Sequence, residues 1–431
     1  SFAARGLKQR RWLIMTGLIL AGEAVYLLPF AVTRFFRPAV LESFGLSNTE
    51  LGAAMAVYGV VAMLAYFPGG PLADRFSARK LLAVSLWTTA AGGMVMATLP
   101  GYRESVWLWG FFGITTILLF WAALIRATRD WGGVDEQGRA FGLLDAGRGV
   151  LAAVMASLGA AVFAWSFPDG YQAASFAERK HALVLIIHGY TLVTFAAGVF
   201  VWFVIPETPA GESRRWDPGQ EPLTRHVGRA LRLPAVWLTS GIVLCAYVAY
   251  KGFDNYGLYA VQVFGLDEVD AARLSAIGAW VRPVAALGFG LLGDRLLVSR
   301  MTVVCFALLV LSQSVFAFLT PEPNLVWVLW LNVLVGSTAI FGLRALYYAL
   351  FEEARVPKTL TGTAVGIVSV AGYSPDVFIN YFGGVLLDAA PGLAGHQHYF
   401  MLQAAFAGLG LILALAMASW LRRTRRYDPS H

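Results

Sequence analysis

Gly69-Gly70-Pro71-Leu72-Ala73-Asp74-Arg75, followed by Arg79-Lys80, and Gly288-Phe289-Gly290-Leu291-Leu292-Gly293-Asp294-Arg295, followed by Arg300, are two versions of one pattern set about half a chain apart. Each closes a long apolar run. In such a turn glycine lets two helices approach, and a carboxylate accepts from helix N-terminal amides or a neighbouring guanidinium. The arginines can anchor at an anionic lipid surface. One copy would say little. Two copies, each after the second apolar run of its half, indicate a chain of two related halves, as expected of transporters built from repeated bundles.

The runs themselves fix the solvent. A bilayer-spanning helix needs roughly 20 apolar residues. The sequence offers twelve such stretches, near 12–33, 50–70, 81–100, 105–125, 139–165, 181–205, 235–258, 270–292, 301–319, 325–350, 361–387 and 398–421. With 58% hydrophobic and only 14% charged residues, the composition lies outside the soluble globular range. After the sixth run the hydropathy falls at Pro206-Glu207-Thr208-Pro209 and stays low to about Leu233. The expected fold is an all-α polytopic membrane protein: an N-terminal six-helix bundle over 1–205, a linker over 206–233 and a C-terminal six-helix bundle over 234–431.

Charge placement orients it. Most Lys and Arg fall in one set of loops: the N-terminus, Arg75/Arg79/Lys80, Arg126/Arg129/Arg139, the linker, Arg295/Arg300, Arg355/Lys358 and the C-terminal tail. The opposite loops hold Arg34, Arg37, Arg103, Arg179 and Lys180. The positive-inside rule then puts both termini and the linker in the cytoplasm. The net charge of +7 is thereby a topology signal and not a nucleic-acid footprint. The basic start precedes an apolar run too long for a signal peptide, with no small-residue cleavage site after it. Cys245 and Cys305 lie inside predicted spans and read as packing residues, not as a disulfide or metal site. Nothing calls for a cofactor. No nucleophile–base set, metal-ligand cluster or nucleotide loop points to an enzyme.

These features resemble the major facilitator superfamily along essentially the whole chain. The superfamily's loop motif after helix two matches Gly70, Asp74, Arg75, Arg79 and Lys80, with Ser77 where glycine is usual; its degenerate copy matches Gly290, Asp294 and Arg295. Pro206-Glu207-Thr208 looks like its common ending of helix six. The resemblance implies a cytoplasmic gate at these positions and at Arg126, and a monomer. More narrowly, Gly138-Arg139-Ala140-Phe141-Gly142 with Gly147-Arg148-Gly149, and Thr361-Gly362-Thr363-Ala364 with Gly372-Tyr373-Ser374-Pro375, look like the bacterial YihN-type inner-membrane transporters. Those are similar to the organophosphate/phosphate antiporters, whose helix-one phosphate-binding arginine follows a Tyr-Leu pair. Here the chain reads Tyr26-Leu27-Leu28-Pro29, without that arginine.

An ionisable side chain at mid-bilayer costs about 2.5–3.5 kcal/mol on insertion scales, so each one is a candidate for function. Glu23, Asp145, Arg148, Lys251, Asp254, Arg282, Arg344 and Asp376 qualify, and none lies in helices three, six, nine or twelve. In the resembled fold those four are the outer supports. Asp145/Arg148 and Lys251/Asp254 are each i,i+3 and can pair within their own helices, so Arg148 and Asp254 read as structural ion-pair members. Glu23, Arg282 and Asp376 have no opposite charge one turn away; their partners must come from another helix, a proton or a ligand. A desolvated carboxylate takes up a proton readily, which makes Glu23, Asp376 and Asp145 the candidates for proton coupling. Arginine stays charged and bonds bidentately. Arg282, with Lys251 and Arg344, is therefore the candidate anchor for a carboxylate, sulfonate or phosphate. Tyr26, Trp280 beside Arg282, and Asn380 one turn beyond Asp376 complete the candidate substrate site. Pro29, Pro283 and Pro375 are expected to break their helices.

The expected function is alternating-access, proton-coupled transport of a small organic anion, by symport or antiport, across a bacterial inner membrane. The alternatives are a multidrug or organic-cation exporter, an organophosphate/phosphate-type antiporter, and a transporter-like ligand sensor without flux.

Overall fold

The computed structural model describes residues 2–133, 136–207, 223–293 and 296–426. Asp294, Arg295 and residues 208–222 of the linker lie outside the described residues, as do the Asp74 side chain and the surroundings of Gly290.

Twelve helical spans run through the described residues. In the first half they are α1 (Arg10–Phe35), α2 (Asn48–Arg75), α3 (Ala78–Met96), α4 (Tyr102–Gly132), α5 (Gln137–Ser166) and α6 (Phe176–Val204). In the second they are α7 (Pro234–Gln262), α8 (Glu268–Gly293), α9 (Val298–Phe318), α10 (Val326–Leu346), α11 in two pieces (Lys358–Gly372 and Pro375–Ala389) and α12 (Leu393–Arg426). Nine of the twelve are long and apolar enough to cross a membrane by length and composition alone. The other three are α3, α8 and the broken α11. The first two carry charges in their opening turns, and neither piece of α11 is long enough by itself.

The chain divides into two compact units. The first comprises Ser1–Trp216 with Leu266–Trp280, so the N-terminal half of α8 is grouped with it. Here α3 packs on α6, α2 on α4, and α1 on both α5 and α6. The second comprises Asp217–Gly265 with Val281–His431. Its tightest pairings are α9 with α12, α9 with α10, and α7 with α11 and α12.

The three prolines behave differently. Pro29 has no N–H to donate, and α1 widens into a π-turn over Leu27–Ala31. The Trp109 indole donates to the Pro29 carbonyl at 3.2 Å. Pro375 starts the second piece of α11 after a break at Tyr373-Ser374. Pro283, expected to break α8, does not; the helix runs through it. A second π stretch, Ile114–Trp121, interrupts α4, where Ser85 donates to the Thr115 carbonyl at 2.6 Å and the hydroxyls of Tyr58 and Thr116 meet at 2.8 Å. Inside lipid, such irregular backbone needs this kind of satisfaction from neighbouring helices.

Cys245 and Cys305 are free and buried.

Candidate functional site

Three ionisable residues of the second unit, Lys251, Asp376 and Arg344, converge. Lys251, near the end of the regular part of α7, is only 2% exposed and places its ammonium 2.8 Å from Oδ1 of Asp376 at the start of the second α11 piece. Tyr247, one turn before Lys251 on the same face, donates its hydroxyl to the other carboxylate oxygen at 2.8 Å. The break before Pro375 presents Asp376 from a helix start, where backbone amides and the helix dipole favour a carboxylate. Tyr373 stacks edge-on against Tyr247 at 5.0 Å and lies 3.1 Å, oxygen to oxygen, from Tyr348, which in turn meets Ser369 at 3.0 Å. Arg344, at the end of α10, lies over the Tyr250 ring at 4.1 Å. Two cations, one carboxylate and five phenol or alcohol groups thus share one region fed by α7, α10 and α11.

The first unit holds a smaller cluster. Arg148 of α5 reaches across to Glu23 of α1, Nε to Oε2 at 3.5 Å, and its guanidinium lies 5.7 Å from the Tyr26 ring. Gly22 makes room for this: a methyl there would meet Arg148 Cδ at 3.0 Å. Asp145, one turn before Arg148 on α5, is exposed.

Of the remaining expected site residues, Arg282 is buried on α8 in the second unit. Trp280 is 42% exposed, belongs to the first unit and donates to Ser157 of α5 at 2.9 Å; two positions apart on a helix, Trp280 and Arg282 do not share a face. Asn380 is half-buried and makes no side-chain hydrogen bond among the described residues. Asp254 is buried in the 3₁₀ turn Phe253–Asn255 that ends the regular part of α7. Sequence reasoning missed Tyr247, Tyr348 and Ser369. For Tyr247 a signal existed, its i−4 spacing from Lys251.

The loop motif is built differently from its sequence reading. Gly70 is not at a close approach: a methyl there would meet nothing within 4 Å, because α2 continues as helix to Arg75. The turn is only Phe76-Ser77, and Ser77 accepts from the Lys80 amide as the N-cap of α3, a task glycine could not perform. Arg126 donates to the carbonyls of Ala73 and Phe76 at the end of α2, while Arg75 is exposed. Arg79 and Lys80 both bind Glu207 beyond α6, the latter at 2.6 Å, and the Arg79 guanidinium lies over Trp202 at 5.0 Å. Glu207 lies outside the spans, and its lysine and arginine partners hold its carboxyl below the usual range. In the second unit Glu353 caps α9, accepting from the Ser299 amide and hydroxyl at 2.7 and 2.8 Å.

Comparison with known proteins places this arrangement. The chain is 26% identical to the inner membrane protein YihN of Escherichia coli K12 over 97% of its own length and 98% of that protein's. It is 28% identical to a probable nitrate/nitrite antiporter, NarK1, of Thermus thermophilus over 67% of this chain and 62% of the relative. The fold matches the crystal structure of a bacterial homologue of the lysosomal transporter Spinster with a TM-score of 0.73, at 16% identity, over 98% of this chain and 99% of that one. The model of the Major Facilitator Superfamily matches residues 19–379, and with twelve helices in two six-helix halves, the chain belongs to that family of membrane transporters.

Proposed function

We propose that this multi-pass membrane protein is a secondary transporter of a small organic anion across the bacterial inner membrane, coupled to protons. The observation that carries the reading is the buried Lys251–Asp376 pair inside a ring of tyrosines, with Arg344 beside it. As an isolated pair Lys251 and Asp376 cancel. Arg344 adds a second cation over Tyr250, and the hydroxyls of Tyr247, Tyr348 and Tyr373 offer donors to an anion.

A carboxylate or sulfonate entering the cluster competes with Asp376 for Lys251. The displaced Asp376 then loses its cation in a desolvated site, which favours taking up a proton. Anion and proton are bound together and released together, so the coupling is symport. Arg282 lends further positive charge from α8, and the Glu23–Arg148 pair with Tyr26 is a neutral counterpart in the first unit. The Arg79/Lys80–Glu207 contacts and the Glu353 cap hold the cytoplasmic ends, with both termini and the linker on that side, in a monomer of two six-helix bundles. That a relative bears the name of a nitrate/nitrite antiporter supports an anionic cargo; the tyrosine ring favours a larger, organic one.

The test is a thermal-stability screen of the detergent-purified chain against carboxylates, sulfonates, phosphate esters and hydrophobic cations, since a ligand of the folded state raises apparent stability by mass action. Stabilisation by an organic anion, lost in Lys251→Ala and Arg344→Gln, is expected. Stabilisation by hydrophobic cations alone would overturn the reading in favour of an exporter.

A further inference from the structure

Among the described residues, one buried carboxylate with an oxygen that lacks a hydrogen-bond partner is not picked out by the sequence. Glu268, the first residue of α8, is 7% exposed. One of its oxygens accepts from the Gln172 amide at 2.8 Å; the other is buried without a hydrogen-bond partner. Its surroundings are acidic. Asp267, its chain neighbour, accepts from the Tyr171 amide at 2.7 Å and the Val269 amide at 2.9 Å. Glu42, from the short helix Arg37–Phe44, accepts from the Tyr171 hydroxyl at 2.6 Å. The cation facing this group, Arg179 at the start of α6, is bound to Glu42 at 2.8 Å and to the carbonyls of Tyr171, Gln172 and Ala174. One turn further along α8, Asp270 and Arg273 pair with each other at 3.0 Å and cancel. Among the described residues, the contacts of these three carboxylates include one guanidinium, that of Arg179, and it binds Glu42.

These contacts are also what seats Leu266–Trp280 on the first unit, with the Trp280–Ser157 bond at its far end. An anionic Glu268 would be desolvated, half-satisfied and next to Asp267. Removing the charge ends the desolvation of an anion and the repulsion from Asp267 while keeping the Gln172 bond, because a neutral carboxyl still accepts through its carbonyl oxygen.

We propose that Glu268 is a proton-binding site: it is neutral while the 266–280 segment is seated on the first unit, and losing the proton unseats the segment. Burial, with Asp267 and Glu42 nearby, pushes the Glu268 carboxyl above the usual carboxylate range. The sign follows. A group whose affinity for protons is higher in the seated form stabilises that form at low pH, and the stabilisation is lost as pH rises through the raised value. The use of this proton in transport rests on the proton-coupled reading above; the site itself does not.

The test is hydrogen exchange of the 266–280 amides in the full chain, without substrate, between about pH 5 and 8, each rate divided by its intrinsic value. Protection in the wild type should fall by up to about tenfold per pH unit above the seated-state value. Glu268→Gln, neutral at every pH, should stay protected throughout. Asp267→Asn removes the like charge but keeps an acceptor for the Tyr171 amide, so its transition should move to lower pH, and it keeps the test decisive if Glu268→Gln does not fold. Protection independent of pH in the wild type, a slope retained in Glu268→Gln, or a transition unmoved in Asp267→Asn would overturn the proposal. Because no substrate is present, failure of the anion screen would leave this result standing, and the reverse.

Discussion

Replacing Asp376 with Asn keeps an acceptor for the Tyr247 hydroxyl and removes only the charge that faces Lys251 at 2.8 Å. With Lys251 2% exposed, its ammonium cannot turn to water. Breaking a buried pair by removing one partner costs about 3–5 kcal/mol, because the remaining charge stays desolvated and uncompensated. At roughly 2–4 °C per kcal/mol for a unit of this size, the melting temperature should drop by about 6–20 °C. The double variant Lys251→Met/Asp376→Asn removes both charges at nearly constant volume and should recover most of that loss, since no charge is then left buried without its partner and the Asn amide oxygen still accepts from Tyr247. Melting of the purified chain, followed by intrinsic fluorescence, reads both. If the single variant melts like the wild type, or the double variant melts no higher than the single, Lys251 and Asp376 are not an energetically coupled buried pair.

Three further expectations follow from the structure. Trp109→Phe strips the Pro29 carbonyl of its indole donor inside a fully buried contact and should destabilise by about 1 kcal/mol, read as a lower melting temperature; an unchanged value would mean the π-turn satisfies itself. Glu353→Ala uncaps α9 and should cost about 1 kcal/mol, with faster amide exchange confined to the first turn after Val298; unchanged exchange there would count against the cap. The lowered carboxyl of Glu207 contributes stability that is present above its ordinary range and lost as pH falls through the lowered value. Wild type and Glu207→Gln should therefore differ in melting temperature at neutral pH and converge at strongly acid pH, and a constant gap would refute the latch.

How much of this was legible differs between fold and site. The twelve spans could be read because lipid imposes one length and one composition on every helix, and even the weakly apolar α3 and α8 were bracketed by their neighbours. The charged residues in those spans could be found for the same reason. Their partners could not be read. Spacing within a helix offered Asp145 to Arg148 and Lys251 to Asp254; it could not show that Arg148 reaches Glu23 on α1 or that Lys251 reaches Asp376 on α11. Which helices touch is a property of packing, and no one-dimensional period records it. Glu268 escaped because it precedes the apolar stretch read at 270–292, where a carboxylate is ordinary; only the fold shows it buried against Gln172. In the loop motif Gly69 lies against the α4 backbone at Ile117 and Leu118, as a helix approach requires, whereas Gly70 faces open space inside a continuing helix and Ser77 caps the next one.

The central claim, an anion carried with a proton at the Lys251–Asp376 site, is tested most directly in proteoliposomes loaded with a pH-sensitive dye, using the anion that the stability screen identifies. Adding that anion outside should acidify the interior in the wild type, while Asp376→Asn should still bind the anion in the stability assay yet give no acidification. Equal acidification by wild type and Asp376→Asn, or anion uptake with no proton movement in the wild type, would contradict the account.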